Sequence, residues 1–370
     1  MLGWTANIDI SHGAVFYQRS CASRFFSFLV EKCHLRRLAV LFRLSDCMRT
    51  SGHLRCCRLI GASLSLIGIL LYASMLASCD IIGGSSVSYQ MGVANPGNLR
   101  DTTPVVLQAD PSGVAVMDNE KATLDYSNTS EGYICVKSKL NGIKVKVLVV
   151  VDGSQYQYTI IEPERYITIP LSCGNGTYQV GVYENIKGDS YSPILSHDLN
   201  VSLADEFRPF LYPNQYVDFT DGDMTTQISQ QSATGATSDV EALYGIYDYV
   251  IKNVTYDYDK AASVQPGYLP TNADTISTGQ GICFDFAVLA ASMLRGQGIP
   301  AKLVIGYSDA AYHAWIQVYC TDTGKVLAAY TFNGTEWVRM DPTFDAARKG
   351  ILDLSGLIGS GTTYQPMLFY

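Results

Sequence analysis

Between residues 112 and 203 apolar and polar side chains alternate with a period of two, in short runs divided by turn residues. Successive side chains of a strand face opposite ways, so the alternation predicts strands over 122–126, 133–138, 143–151, 155–161, 166–171, 177–183 and 195–203. Breaks fall at Asn141-Gly142, Asp152-Gly153, Gly174-Asn-Gly176 and Lys187-Gly-Asp189. Of these, Asn141-Gly142 is the strongest hairpin signal. Past residue 238 the period becomes helical. Ser238 with Glu241 three residues on has the form of a capping box. Behind it Val240, Leu243, Tyr247, Val250, Ile251 and Val254 share one face, which predicts a helix over about 239–253. Residues 283–295 are almost wholly apolar, the pattern of a helix buried all round. Gly296, Gly298 and Pro300 then stop it.

Several short strands at close spacing argue for an all-β, immunoglobulin-like sandwich over 105–203. It precedes an α+β domain over 238–370. The segment 204–237 between them is an aromatic connector carrying Phe207, Phe210, Tyr212, Tyr216 and Phe219. Pro209 and Pro213 oppose helix there. So many rings need cover, so the connector is expected to pack along the second domain. Residues 225–235 are polar and read as loop. The sandwich holds no catalytic constellation, and His197 reads as a surface or hydrogen-bonded histidine.

The amino-terminal third has a different character. Arg49, Arg55 and Arg58 flank a charge-free run over 59–71, which is short for a spanning helix. Small residues follow, then Leu76-Ala-Ser-Cys79 and Asp80. This ending resembles a bacterial lipobox, where cleavage precedes the Cys and the new terminal Cys is acylated. On that reading 48–78 is a lipoprotein signal peptide and Cys79 is the lipidation site. Residues 79–104 form a flexible Gly/Ser/Asn-rich tether. An uncleaved anchor helix over 59–76 is the alternative. Either way the body lies outside the cytoplasmic membrane. Residues 1–47 then have no evident task and read as an extension from a start codon set too early.

Charge and cysteine usage narrow the partners. Residues 1–78 hold nine Lys and Arg against three Asp and Glu, whereas the remainder carries a net −14. An acidic body argues against nucleic acid. Of ten cysteines, processing leaves Cys79, Cys135, Cys173, Cys283 and Cys320. Export permits a Cys135–Cys173 disulfide, and two buried free thiols are the equal alternative. Cys320 is expected to pack in a sheet. No Cys-x-x-Cys or histidine cluster suggests a metal in the exported body. Asp218, Asp221 and Asp223 lack EF-hand spacing, and no cofactor is implied.

The chemistry concentrates after residue 279. A glycine-rich turn, Gly279-Gln-Gly-Ile-Cys283, delivers a thiol to the start of the buried helix. Backbone N–H groups there lack internal partners and carry partial positive charge, so a thiolate, the reactive form, is favoured. His313 lies in the alternating run 312–319, on the same strand face as Trp315. It is the one histidine beside His197 in the exported body. Asp341 ends a strand over 336–340 and precedes Pro342, which keeps it extended. Cys, His and Asp are the parts of a thiol acyl-transfer site. A turn-forming Asp341 is the alternative, with Asp345 and Asp322 as weaker candidates.

Gly281-Ile-Cys283, Gly298-Ile-Pro300, Gly306-Tyr307, His313-Ala-Trp315 and Trp337…Asp341-Pro-Thr343 together resemble the transglutaminase-like superfamily, whose fold is related to papain-type cysteine proteases. The likeness covers roughly 238–350. It implies that Cys283, His313 and Asp341 fill the triad positions. It does not imply crosslinking, since the superfamily also holds proteases, other amidases and inactive members. Tyr256 and Gln280 are oxyanion-donor candidates beside the Cys283 backbone N–H; Gly281, Trp315 and Tyr307 are substrate-channel candidates. The expected partners are a protein or peptide substrate of the cell envelope and the membrane, through lipid on Cys79. A catalytically inactive binding or scaffold module is the alternative. If translation begins at Met48, mass spectrometry of intact cells will find no peptide from 1–47; a single such peptide refutes the later start.

Overall fold

The computed structural model describes residues 99–326, 330–347 and 363–370. The extension, signal peptide, Cys79 and most of the expected tether lie outside the described residues. Eight strands occupy 116–201: β1 (Val116–Asp118), β2 (Ala122–Asp125), β3 (Tyr133–Ser138), β4 (Val145–Val151), β5 (Ser154–Ile160), β6 (Ile167–Pro170), β7 (Gly176–Lys187) and β8 (Ser190–Val201). They form two antiparallel sheets, in the orders β1-β2-β3-β6 and β5-β4-β7-β8. The inward residues of both, Leu124, Ile134 and Val136 with Val147, Val149, Tyr158 and Val180, belong to one apolar cluster.

The sequence misled at one turn. Asn141-Gly142 does not close a hairpin, because β3 and β4 belong to different sheets and the turn carries the chain across. Asp152-Gly153 does close a two-residue hairpin. It joins paired Val151 and Ser154, and its residues take φ of 48° and 78°. Positive φ at both central residues is what a primed turn needs to match strand twist. His197 lies on β8, half-buried against Tyr126 at 4.7 Å. Cys135 and Cys173 are free thiols.

The connector finds its cover. Phe207 packs on Tyr319 at 4.2 Å, Phe210 on Trp337 at 5.2 Å, Tyr212 on Tyr133 at 4.6 Å and Tyr216 on Tyr370 at 4.1 Å. Residues 99–105, composed like a tether, are also docked. Arg100 pairs with Asp239 at 2.6 Å and donates to the Gln297 side chain, and Val105 N–H donates to the Gly296 carbonyl. An ion pair outweighs composition there.

The rest is α+β. Its elements are α1 (Met224–Ala233), α2 (Asp239–Asn253), β9 (Thr255–Tyr256), α3 (Tyr258–Ser263), α4 (Asn272–Thr278), β10 (Gln280–Gly281) and α5 (Cys283–Gly296). There follow β11 (Ala301–Ser308), β12 (Ala311–Val318), β13 (Gly324–Val326), β14 (Tyr330–Phe332), β15 (Val338–Met340), α6 (Pro342–Ala346) and β16 (Tyr364–Phe369). The helix α1 replaces the loop expected over 225–235. Asp223 caps it by accepting from Thr226 N–H. Its buried face is made of Thr225, Thr226, Ser229 and Ala233, and Ser229 donates to the Met293 carbonyl at 2.6 Å. Small hydroxyl residues let two helices approach closely, and such a face leaves no apolar period to read. α2 starts at Ser238, whose side chain accepts from Glu241 N–H, while the Glu241 carboxylate reaches Thr237.

α5 is buried along its whole length, against β11 and β12 on one side and α1 and α2 on others. The antiparallel sheet it lies on runs β15-β12-β11-β16. Arg295, wholly buried in the last turn of α5, donates to the carbonyls of Tyr212, Ala301 and Tyr370, so one guanidinium ties helix, connector and sheet. Among the described residues, no helix is long and apolar enough to cross a membrane and no cluster could hold a metal ion.

Strand β16 depends on one glycine. A Cβ at Gly306 would lie 2.1 Å from the Gln365 carbonyl oxygen, which is backbone and cannot swing away. Gly306→Ala is therefore expected to lower stability by about 1–3 kcal/mol, as overpacking does. Gly296→Ala, whose Cβ meets a Thr226 methyl at 3.4 Å, serves as the tolerated control. Denaturant melts will separate the two; coincident melts would refute the close approach.

Candidate active site

Cys283 is the first residue of α5, as its sequence position required. It is buried with 9% of its surface exposed, whereas His313 keeps 1%. His313 stands in the middle of β12, paired across to Gly306. Met340, the last residue of β15, pairs with Ile316 of β12, so Asp341 emerges beside the histidine. Its Oδ2 lies 2.6 Å from His313 Nε2.

Asp341 bonds in two directions. Its Oδ1 caps α6, accepting from the N–H groups of Thr343 and Phe344 at 3.1 and 3.2 Å. Its Oδ2 accepts from His313 and from the Tyr364 hydroxyl at 2.7 Å. Four bonds fix the carboxylate, and the cap sets which oxygen faces the imidazole. The other ring nitrogen, Nδ1, is buried and makes no bond of conventional geometry. Cys283 is near enough for its charge to raise the ring's pKa. With Nε2 held by Asp341, Nδ1 is the nitrogen left to the thiol. Burial pulls the His313 pKa down, but Asp341 and Cys283 outweigh it and push it up to about 10. The neighbourhood therefore favours imidazolium.

The remaining candidates fall as follows. Tyr256 is buried on β9, which pairs with β10 so that Tyr256 stands opposite Gly281. Burial raises its hydroxyl pKa first, and the Cys283 charge raises it further. Gln280 is exposed. At Gly281 the space a Cβ would enter is filled by Asp285, 2.5 Å from the ideal Cβ position. Trp315 is fully buried and lies stacked with His313 at 6.1 Å, a floor under the ring. Tyr307 is 38% exposed and packs edge-on against Tyr312. Asp345 accepts from the Tyr247 and Tyr330 hydroxyls, and Asp322 from Asp239 N–H. Cys320 is buried, and burial pushes its thiol up to about 12.

Two features escaped the sequence reading. Tyr364 arrives from β16, distant in the chain, and nothing local marks it. Asp285 does have a local mark. It is the third residue of α5, and its carboxylate accepts from Ile282 N–H at 2.7 Å, as an acid in the first turn is placed to do. A cavity of about 300 Å³ lined by Leu140, Ile143, Lys144, Ile160, Ile161 and Pro163 includes none of these residues. The chemistry, rather than cavity size, marks the site.

A buried thiol with an oriented imidazole at a helix start can form a thiolate and attack an electrophilic carbon. The pairing has a pH signature. The folded His313 pKa lies above its ordinary 6.5, so the stabilisation is full below about 6.5 and is lost as pH rises through about 10. Thermal melts from pH 6.5 to 10 should show the wild type losing stability relative to His313→Gln. Parallel curves would refute the pairing.

Parts of this chain are similar to known proteins. The UPF0252 protein MJ1282 of Methanocaldococcus jannaschii is 24% identical over 230 residues, 56% of this chain and 64% of that protein. The chain thus spans less than two thirds of that relative. Among solved structures, a candidate cysteine protease from Cytophaga hutchinsonii shares 17% identity, with 64% of this chain and 91% of that one covered and a TM-score of 0.31. The red sea bream transglutaminase shares 12% identity, with 57% and 48% covered and a TM-score of 0.25. A further structure, of a TGase, shares 20% identity, with 32% and 30% covered and a TM-score of 0.26. Residues 226–342, a span that includes Cys283, His313 and Asp341, match the model of the Transglutaminase-like superfamily.

Proposed function

We propose that this protein is a thiol-dependent amidase or acyltransferase acting on peptide or carboxamide bonds through a thioester on Cys283. The observation that carries the reading is the buried His313–Asp341 pair, whose ring also feels the charge of Cys283 at the start of α5. In the proposed cycle His313 Nδ1 takes the thiol proton while Asp341 holds the ring. The thiolate adds to the carbonyl carbon, the C–N bond breaks, and the amine or ammonia leaves with the proton from His313. Water then releases an acid, or an amine forms a new amide, and either returns the thiol. The oxyanion needs donors; the Cys283 backbone N–H and the Tyr256 hydroxyl are our assignment. The exposed position of Gln280 speaks less for it.

In the same proposal the β-rich region is an immunoglobulin-like domain, a reading supported by its two-sheet strand order. Lipid on Cys79 holds the protein on the outer face of the bacterial cytoplasmic membrane, with envelope peptides or proteins as substrates. That anchoring rests on the sequence pattern around Cys79.

Iodoacetamide tests the central step. At pH 6 a free thiol is below about 1% thiolate, so Cys283 should be modified at least roughly tenfold faster than a free cysteine. His313→Ala should remove the advantage. Equal rates would favour an inactive scaffold. Intact-mass trapping of the acyl adduct from a cell-envelope extract would then identify the substrate.

A further inference from the structure

The first turn of α5 carries a second acid that the proposed cycle does not use. Asp285 lies two residues after Cys283, with its side chain wholly buried. Its Oδ2 accepts from Ile282 N–H at 2.7 Å, and its Oδ1 accepts from the Tyr268 hydroxyl and from Lys260 Nζ at 3.0 Å. Lys260 lies over the Tyr268 ring at 4.6 Å. Ile282 N–H and the Tyr268 hydroxyl already give each oxygen a donor. What Lys260 adds is charge.

That charge matters because of what else is near. From β9, Tyr256 senses Cys283, Asp285 and Asp257; Tyr268 senses Asp285, Asp274 and Asp257. From β12, the Cys283 charge bears on His313 and Tyr312, with Asp341 bonded to the histidine. Carboxylates thus crowd the helix start. A carboxylate and a thiolate in one first turn repel each other, and a helix start supplies only about half a positive charge. Lys260 is the lysine bonded there.

The same three residues also fasten backbone. Asp257 caps α3, accepting from Lys260 N–H, and its own N–H donates to the Gly281 carbonyl. Gly281 has to be glycine to let the Asp285 side chain in. The strap 255–281 is therefore held to α5 through Lys260 and Tyr268, and Tyr256 rides on it.

We propose that Lys260 is a positioning residue for Cys283: by neutralising Asp285 it keeps the start of α5 able to carry the sulfur anion, while Tyr268 and Asp285 hold the strap bearing Tyr256 in register. The inference rests on the thiol reading above, but its test reads something different. The ratio of alkylation rates with anionic iodoacetate and neutral iodoacetamide reports the local potential at Cys283 in the intact protein. Lys260→Met should lower that ratio by roughly fivefold, the order expected from one unit charge a few ångströms from a thiolate in a partly solvated site. It should also move the acid limb of the iodoacetamide pH–rate profile to higher pH. Lys260→Arg should match the wild type, and Asp285→Asn combined with Lys260→Met should restore the ratio. Near-UV circular dichroism checks folding, and the Lys260→Arg and double variants decide the matter should Lys260→Met misfold. An unchanged ratio in folded Lys260→Met, or a double variant no better than the single one, would overturn the proposal. Failure of the thiol reading would instead show as slow alkylation of the wild type with both reagents.

Discussion

One bond organises the region around the thiol, the 2.6 Å contact between His313 and Asp341. It is made in the interior, where an ionised carboxylate or imidazolium alone would be costly. Each partner is therefore supported from behind. Asp341 is held by the first N–H groups of α6 and by Tyr364, and His313 lies against Trp315. The surrounding structure can be understood as what keeps these groups dry and aligned. The strands β15, β12, β11 and β16 bring them to one sheet, and the buried helix α5 presents Cys283 to it.

The sheet is also packed from outside residues 226–342. Lys302 of β11 lies over the rings of Trp337, Phe210 and Phe369 at 3.9, 4.7 and 5.6 Å, so the aromatic connector grips strands on both sides of β12. Burial pulls the Lys302 pKa down to about 8, the cost of that packing. Tyr216 meets Phe284 of α5 at 6.3 Å and donates to the Gln157 carbonyl of β5. The β-rich region and α5 are thus linked through one side chain of the connector.

The start of α5 is an exercise in charge balance. Partial positive charge of the backbone, a lysine and an imidazolium stand against the carboxylates of Asp285 and Asp341 and, in the proposed cycle, a thiolate. Such clusters are stable only when every member has its partner, because an unmatched buried charge costs more than a matched pair gains. The bonds described above supply those partners residue by residue.

Much of this was already written in the chain. The amphipathic face of α2, the wholly apolar α5 and the period-two strands follow from local rules: side chains repeat every 3.6 or 2 residues, so burial leaves a readable mark. Cys283 at a helix start and His313 on a strand were legible for the same reason. What was not legible depended on partners distant in sequence. Asn141-Gly142 turns the chain between sheets because β4 finds β5 and β7, not β3. The small polar face of α1 carries no apolar period, yet it packs because α5 offers a carbonyl to Ser229. Tyr364 reaches Asp341, and Lys260 reaches Asp285, across 23 and 25 residues. Local sequence determined which groups exist and how each element is faced; only tertiary packing decided which charges meet, since a hydrogen bond or ion pair depends on distance in space and not on separation along the chain.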